Sequence, residues 1–206
     1  MRAQAAPRHR APCAQCRNPQ QLCYCAQLPR FESDPRFVFL MHPRECKRTI
    51  ATGRMAHLSL SNSLLLRGLD FSGQERLQTL LADPANHCVV LSPGKNAVAL
   101  HEASPEAKAS LFPPGKQAWV ILLDATWSQA SRLWRENPAL HKLPRVAFVP
   151  PAVSRFTVRN QPAAWCYSTI EATHEVLRLL GKEPPPAMLE ALAWLVRRQQ
   201  IYRPQS

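Results

Sequence analysis

The chain has 206 residues, the size of one ordinary domain, and no apolar run approaches the ~20 residues that a membrane span requires. The 26 Lys and Arg against 14 Asp and Glu give a formal net charge of +12, which favours a polyanionic partner over a merely solubilising surface. The first twelve residues are basic with no apolar stretch behind them, so no secretory signal is expected, and seven cysteines, an odd number, favour a reducing, cytoplasmic compartment.

Four cysteines lie close together near the start of the chain. Four thiolates are what a tetrahedral zinc ion requires, and Cys-x2-Cys is the common half-site. The segment has no helical or strand period, so metal binding would supply its folding free energy. Two disulfides, a redox pair or an iron–sulfur cluster are the alternatives. We therefore predict a basic arm and zinc knuckle over residues 1–30, with the ligands Cys13, Cys16, Cys23 and Cys25.

The next part of the chain alternates between apolar runs and helical patterns. Residues 37–41 and 88–91 are predicted strands, and the first is followed by a polar and basic loop over residues 42–48. Apolar spacing predicts a helix over residues 53–66. A capping box at residues 72–75 predicts a second helix to about Leu81, and Ser104-Pro105 is typical of a third helix start.

The apolar run of residues 119–123 has strand length and no polar residue, as expected of a strand buried on both faces. It ends at Asp124, and Thr126 with Gln129 fits the capping box of a helix to about Glu136. Ligands bind at the carboxyl ends of strands in open α/β sheets, so Asp124 and Trp127 are candidate site residues. The alternative is an ordinary helix cap and an ordinary core aromatic.

The last third begins with a predicted strand over residues 143–149, followed by an alternating segment over residues 154–159. If that segment is extended, Arg155, Thr157 and Arg159 share one face. Two arginines on one face can clamp a phosphate, although a solvated edge strand would show the same pattern.

A third capping box, Ser168 with Glu171, predicts a helix to about Leu180, whose free N–H groups would suit a carboxylate or phosphate. Residues 187–200 predict an amphipathic helix whose apolar stripe is core or a dimer seam. The recurring order of strand, loop and helix predicts an α/β fold with a parallel sheet and flanking helices over residues 31–206.

Several motifs together resemble the series of the DTW-domain family, over roughly residues 13–180. The motifs are the four-cysteine knuckle, His42-Pro-x-Glu45-x-x-Arg48 followed by Thr52-Gly53, Leu91-x-Pro93, Asp124-Ala-Thr-Trp127, Leu143-Pro-Arg145, Ser154-x-Phe-x-x-Arg159 and Ser168-Thr-x-Glu171-Ala172. The four-cysteine spacing and the Asp-x-Thr-Trp element are specific in combination.

The resemblance implies a tRNA-uridine aminocarboxypropyltransferase. Such an enzyme transfers the 3-amino-3-carboxypropyl group of S-adenosylmethionine to N3 of a tRNA uridine and leaves methylthioadenosine. The implied fold is similar to that of SPOUT methyltransferases, a parallel sheet with a knotted cofactor site. Periodicity does not predict a knot, and knots are rare. The zinc would be structural.

Uridine N3 must lose its proton before it attacks, so the reaction requires a base, and Asp124 at a strand end is the candidate. Burial beside Trp127 would raise its pKa; alternatively, Asp124 holds the amino group of the donor. The expected cofactor-binding residues are Leu91, Pro93, Leu122, Thr126, Trp127, Ser168, Thr169 and Glu171. The expected contacts to tRNA phosphates are Arg44, Lys47, Arg48, Arg155 and Arg159.

Two other functions fit the same residues. A SPOUT-type RNA methyltransferase would use the same donor but would release S-adenosylhomocysteine. A non-enzymatic zinc-ribbon RNA-binding protein would use the knuckle and the basic surface, without any chemistry at Asp124.

Overall fold

Six strands, all parallel, form one sheet in the computed structural model, which describes residues 12–158 and 163–202. The strands are β1 (Arg36–Met41), β2 (Leu64–Arg67), β3 (Asn86–Leu91), β4 (Ala97–Ala99), β5 (Gln117–Asp124) and β6 (Arg145–Ala147). Their order across the sheet is β2-β1-β5-β3-β6-β4, which puts β5 in the interior, between β1 and β3.

Helices cover both faces of the sheet. They are α1 (Pro43–Cys46), α2 (Thr52–Ser59), α3 (Glu75–Ala82), α4 (Pro105–Leu111), α5 (Trp127–Glu136), α6 (Thr169–Leu179) and α7 (Ala187–Tyr202). Short 3-10 helices occur at Gln20–Leu22, Cys25–Gln27 and Pro138–Lys142. Within these ranges, no helix is both long and apolar enough to cross a bilayer.

Alternate residues of the central strands point into two apolar layers, as strand geometry requires. Phe39 and Val120 pack in the layer formed with α2, α6 and α7. Leu40 and Ile121 pack in the other layer, with α3 and α5. The interior of β5 is therefore buried on both faces, which confirms the prediction from its uninterrupted apolar run.

The knuckle packs against the first of these layers. Cys16 and Tyr24 are completely buried and share an apolar cluster with Met55 of α2 and Leu192 of α7. The boundary at residue 30 between the knuckle and the α/β domain stays a prediction, but the two parts share one core.

The carboxyl ends of the strands meet at one edge of the sheet, because every strand runs in the same direction. Met41 of β1 lies in register with Asp124 of β5 on one side and with Arg67 of β2 on the other. Side chains that end these strands therefore lie at the same height, where the predicted site was expected.

Several predicted elements are confirmed. The parallel sheet with flanking helices is present, and β1, β3 and β5 match the predicted strands within two residues at each end. The capping boxes that start α5 and α6 are formed, with Thr126 and Ser168 as the N-caps. Gly181 follows α6 with φ +73°, as a helix-ending glycine does.

Other predictions were wrong. The helix predicted over residues 53–66 ends at Ser59, and Leu64–Arg67 forms β2 instead. The capping box predicted at Ser72 is absent, since α3 starts after Gln74 without a side-chain cap. Strand β4 was not predicted, and the predicted strand over residues 143–149 is only three residues long.

The segment around Arg155 is irregular and does not form a strand in its described part. Its Ser154 hydroxyl and Arg155 amide donate to Glu171 of α6 instead of to a neighbouring strand. The predicted alternation of faces nevertheless holds as far as the structure describes it, because Phe156 and Val158 are buried while Arg155 and Thr157 are exposed.

Candidate active site

Asp124 lies at the end of β5 and is 4% exposed. The hydroxyl of Thr169 donates a hydrogen bond of 2.6 Å to its Oδ1 atom, and its carbonyl oxygen accepts from the amide of His42 at 3.0 Å. The end of β5, the loop after β1 and the start of α6 are thereby held together at a single residue, through its carboxylate and its backbone carbonyl.

Two helix N-termini converge on this carboxylate. Helix α2 starts at Thr52 and α6 at Thr169, and the Thr169 amide donates to the Thr52 hydroxyl at 3.3 Å. The second residue of α2 is Gly53, where a Cβ atom would overlap the Asp124 carboxyl group. Both helices direct the positive ends of their dipoles toward the site, where they stabilise negative charge.

Glu171 organises the start of α6. Its buried carboxylate accepts from the Ser168 amide and hydroxyl at 2.8 and 2.6 Å, which is the side-chain half of the capping box. The same carboxylate accepts from the Ser154 hydroxyl at 2.8 Å and the Arg155 amide at 2.6 Å. Ser168 and Glu171 therefore fix the position of α6 and of the segment before it.

A cavity of about 740 Å³ opens beside this cluster, at the carboxyl ends of β3, β5 and β6 and between α5 and α6. Five residues predicted to bind the cofactor line it: Leu91, Pro93, Leu122, Trp127 and Thr169. The other three predicted cofactor residues, Thr126, Ser168 and Glu171, cap the helices at its border.

Asp124 lies one contact behind the cavity wall. Its neighbours Leu123 and Ala125 and its hydrogen-bond partner Thr169 form part of the lining. Among the described residues, no Asp or Glu lines the cavity itself. Asp124 is connected to it through the hydrogen bond from the Thr169 hydroxyl.

The cavity has aromatic and cationic walls. The indoles of Trp127 and Trp165 are 56% and 62% exposed, which is unusual for so large an apolar group. The Arg145 guanidinium lies 4.8 Å from the ring centre of Trp134 and donates to the Pro93 carbonyl and the Ser92 hydroxyl.

Sequence reasoning missed several of these wall residues. Arg145 had one signal, its place in the Leu143-Pro-Arg145 motif. The others had none, because they lie in a helix face or an irregular loop whose position depends on the fold: Trp134, Arg135, Phe148, Trp165 and Tyr167. Burial raises the pKa of the Tyr167 phenol, which therefore remains a neutral donor at neutral pH.

The residues predicted to contact tRNA lie around this edge. Arg44, Lys47 and Arg48 are exposed on α1 and the loop that follows β1, and Arg48 pairs with the buried Glu45 at 3.3 Å. Arg155 is exposed beside the start of α6, where its amide donates to Glu171. Arg159 lies outside the described residues.

The knuckle brings its four sulfur atoms within 4.8 Å of one another. Sγ–Sγ distances are 3.8 Å between Cys13 and Cys25 and 3.7 Å between Cys16 and Cys23. Four thiolates around zinc at ~2.3 Å lie about 3.8 Å apart, so the cluster has the dimensions of a tetrahedral site. All four cysteines are free thiols, and backbone amides of Cys16 and Gln15 lower the pKa of Cys13 to about 6. This cluster can hold a metal ion.

Comparison with known proteins agrees with the motif series. A tRNA-uridine aminocarboxypropyltransferase 2 from Drosophila melanogaster is 30% identical over 185 residues, which cover 86% of this chain and 70% of that protein. The Mus musculus protein of the same name is 28% identical over 178 residues, 84% of this chain. The Macaca fascicularis protein of that name is 25% identical over 179 residues, 85% of this chain. This chain spans 57% and 58% of the mouse and macaque proteins.

No solved structure matches the chain. The profile of the DTW domain matches residues 10–200, a range that includes the knuckle, the whole sheet and every described residue of the cavity wall. The chain therefore belongs to the DTW-domain family.

Proposed function

We propose that the protein transfers the 3-amino-3-carboxypropyl group of S-adenosylmethionine to N3 of a uridine in tRNA and releases methylthioadenosine. The observation that carries this proposal is the aromatic and cationic cavity beside a buried Asp124, in a family whose curated relatives are named tRNA-uridine aminocarboxypropyltransferases.

The cavity suits both reactants in size and chemistry. Its volume of about 740 Å³ falls in the range of ~300–1,000 Å³ that is typical of small-molecule sites. Indole rings attract cations such as the sulfonium of the donor and stack on nucleobases. Arg145, held beside Pro93, would pair with the carboxylate of the donor.

We assign the predicted cofactor residues two tasks. Leu91, Pro93, Leu122, Trp127 and Thr169 would contact the donor or the uracil, since they line the cavity. Thr126, Ser168 and Glu171 would act through the helix starts that they cap.

Asp124 is the proposed catalytic residue. A new bond forms between uridine N3 and the terminal carbon of the aminocarboxypropyl group, the bond from that carbon to sulfur breaks, and its electron pair neutralises the sulfonium. The N3 proton must leave to a base. The Thr169 hydroxyl lies between the cavity and the Asp124 carboxylate, and can relay that proton to it. The competing role, in which Asp124 acts electrostatically on the amino group of the donor, requires no proton transfer.

We assign a structural zinc ion to the knuckle. Four protein thiolates fill a tetrahedral zinc site and leave no open position for a substrate. The sulfonium donor is already activated, so the transfer requires no Lewis acid. Seven cysteines, an odd number with four in a metal-type cluster, are typical of a reducing compartment, and we infer that the enzyme acts in the cytoplasm.

The RNA partner follows from the charge and from the reaction. The target uridine must turn out of any stack to expose N3. Arg44, Lys47, Arg48, Arg155 and Arg159 are the proposed phosphate contacts around the cavity edge, since the first four are exposed there and the fifth shares their motif series.

A product assay tests the reaction. Purified protein is incubated with unmodified tRNA and S-adenosylmethionine, and the small product and digested nucleosides are analysed by mass spectrometry. Methylthioadenosine together with an aminocarboxypropyl-uridine is the expected result. S-adenosylhomocysteine would identify a methyltransferase instead, and no donor consumption would leave only an RNA-binding protein.

The same assay tests Asp124. Asp124→Asn keeps an oxygen for the Thr169 hydroxyl but removes the charge, so turnover should fall at least about 100-fold while tRNA and donor binding persist. Asp83→Asn is the control, since this exposed side chain accepts only a local amide hydrogen bond, from Ala85. Wild-type turnover by Asp124→Asn would refute the catalytic role.

A further inference from the structure

A second concavity, of about 510 Å³, lies on the outer side of the sheet, beside the edge strand β2. The knuckle, α2, β2 and the start of α3 form its walls. We call this surface the outer groove, and its lining is Gln15, Arg54, His57, Leu58, Leu65, Leu66, Arg67, Gln74 and Arg76. None of these residues contacts the cavity that contains Trp127.

The outer groove is strongly cationic. Three arginines line it and no Asp or Glu does. Arg67 and Arg76 are exposed, and neither forms an ion pair with any carboxylate among the described residues. Burial, together with the charges of Arg67, Arg76 and Arg30, lowers the pKa of His57. Unpaired arginines this close together repel one another, so an anion in the groove would be stabilised.

One of the three arginines of the outer groove, Arg54, is buried and held in place by hydrogen bonds. Its guanidinium is 2% exposed and donates to the Cys16 carbonyl at 3.0 Å and to the Cys46 carbonyl at 2.8 Å. Its Nε atom has no hydrogen-bond partner among the described residues, and no described Asp or Glu forms an ion pair with it. A buried guanidinium without a carboxylate partner is stabilised by negative charge nearby, from the knuckle thiolates on one side and from an anion in the groove on the other.

The outer groove lies close to Asp124, at the carboxyl ends of the strands. Arg67 ends β2 in register with Met41, which is in register with Asp124. Two strand spacings of ~4.8 Å separate them, so Arg67 lies about 10 Å from Asp124 in the plane of the sheet. The carbonyl of Cys46 connects Arg54 to the α1 segment that carries Arg44 and Lys47.

We propose that the outer groove binds the sugar–phosphate backbone of the tRNA strand that flanks the target uridine. The proposal rests on the proposed function, which makes tRNA the substrate. A polyanion fits better than a single small anion, because Arg67 and Arg76 come from separate elements and Arg30 and Arg17 extend the positive surface. The groove would give the RNA a second contact region, separate from Arg155 beside the start of α6.

The double variant Arg67→Ala/Arg76→Ala tests the proposal, because both side chains are exposed and neither forms an ion pair among the described residues. The dissociation constant for an unmodified tRNA transcript is measured by fluorescence anisotropy at several KCl concentrations. We expect it to rise at least tenfold near physiological salt. The slope of the logarithm of the dissociation constant against the logarithm of the KCl concentration should fall by about 1.4–1.8, since each of the two lost phosphate contacts removes roughly 0.7–0.9.

Lys108→Ala/Lys116→Ala is the matched control. It removes two charges as well, but from α4 and from the loop that leads into the amino end of β5, and neither lysine lines the outer groove. Its tRNA affinity should fall by less than threefold. Both double variants should bind S-adenosylmethionine like the wild type by calorimetry, because none of the four residues lines the cavity.

Two outcomes would overturn the proposal. They are a wild-type tRNA dissociation constant in Arg67→Ala/Arg76→Ala, and equal weakening of tRNA binding in both double variants. If the wild type binds tRNA but forms no methylthioadenosine, the proposed function fails, and the comparison of the double variants still decides what the groove binds.

Discussion

Gly53 sets how closely α2 approaches the carboxylate of Asp124. No side chain fits at this position without overlap, because Asp124 already occupies the space where a Cβ would lie. Thr169 contacts the same carboxylate from α6. The close approach of α2, the end of β5 and the start of α6 therefore requires a glycine at residue 53. The position of Thr169 in the cavity wall depends on this packing.

Gly53→Ala should therefore displace either α2 or Asp124. We expect a loss of about 1–3 kcal/mol in the free energy of unfolding, as is typical of overpacking, and at least a tenfold fall in turnover. Urea unfolding and the methylthioadenosine assay measure the two effects. Gly73→Ala is the control, because nothing lies within 4 Å of its Cβ position. Equal behaviour of the two variants would contradict the packing argument.

Single residues were predictable from the sequence only where the local pattern marks them. Asp124 interrupts an apolar run and so indicates a strand end. Arg54 carries no such mark, because its partners at Cys16 and Cys46 are determined by the packing of α2 against the knuckle and the α1 segment. Trp165 likewise lies in an irregular segment, and only the fold brings it to the cavity.

At the scale of elements, capping signals were reliable where no side chain competed for the same amide. Thr126 and Ser168 cap their helices as predicted. Ser72 does not, since its amide donates to the Asp70 carboxylate at 2.8 Å in a local turn. Gln74 then becomes the residue before α3.

The wrong helix over residues 53–66 has a specific cause. The leucines from Leu58 to Leu66 fit helical spacing as well as a helix followed by a strand. The chain turns at Asn62, whose side-chain amide exchanges hydrogen bonds of 3.1 and 2.9 Å with the backbone of Ser33. This contact joins residues far apart in sequence, so local periodicity could not predict it.

The knuckle should stabilise the whole domain, because its buried Cys16 and Tyr24 belong to the core cluster. We expect about one zinc ion per chain in protein purified without added zinc. Cys13→Ser should reduce that content by more than half and lower the melting temperature by at least about 5 °C, because metal binding contributes to folding. Plasma mass spectrometry and calorimetry measure the two effects.

Cys166→Ser is the matched control for that experiment, since Cys166 lines the cavity and is not a member of the cysteine cluster. It should retain the metal. Unchanged zinc content in Cys13→Ser would refute the zinc assignment, and visible absorption from iron would replace it with an iron–sulfur cluster.

For the molecule as a whole, the class of fold was predictable and the arrangement of strands was not. Alternation of strand and helix patterns favours a parallel sheet. The order β2-β1-β5-β3-β6-β4 depends on which crossovers bury the most apolar surface, and β4 and β6 are three residues long with little pattern of their own. The knotted core implied by the family resemblance stays a prediction.

Acid should destabilise the fold at a mildly low pH. Burial lowers the pKa of four histidines below the ordinary value of 6.5: His42, His57, His87 and His174. As the pH falls through 6.5, the unfolded chain binds protons that the folded chain does not, so the free energy of unfolding decreases and the loss is complete below the folded-state pKa values. Above pH 7.5 these groups have no effect.

We therefore expect a lower melting temperature at pH 6.0 than at pH 7.5 at constant ionic strength, by roughly 2–4 °C for each kcal/mol lost. His174→Gln should reduce this difference, because its side chain no longer titrates. Zinc content is measured at both pH values, since acid also releases metals. A melting temperature that stays constant or rises on acidification would contradict the prediction.

The two hydrogen bonds of Arg54 have a mechanical consequence. Its guanidinium donates to the carbonyl of Cys16 in the knuckle and to the carbonyl of Cys46, the last residue of α1. A planar group with fixed geometry transmits displacement from one carbonyl to the other, which a lysine ammonium on a flexible stem would not do. Strain introduced by removing the proposed zinc ion should thus reach the α1 segment, a proposed tRNA contact, through a single side chain, and the two regions should loosen together.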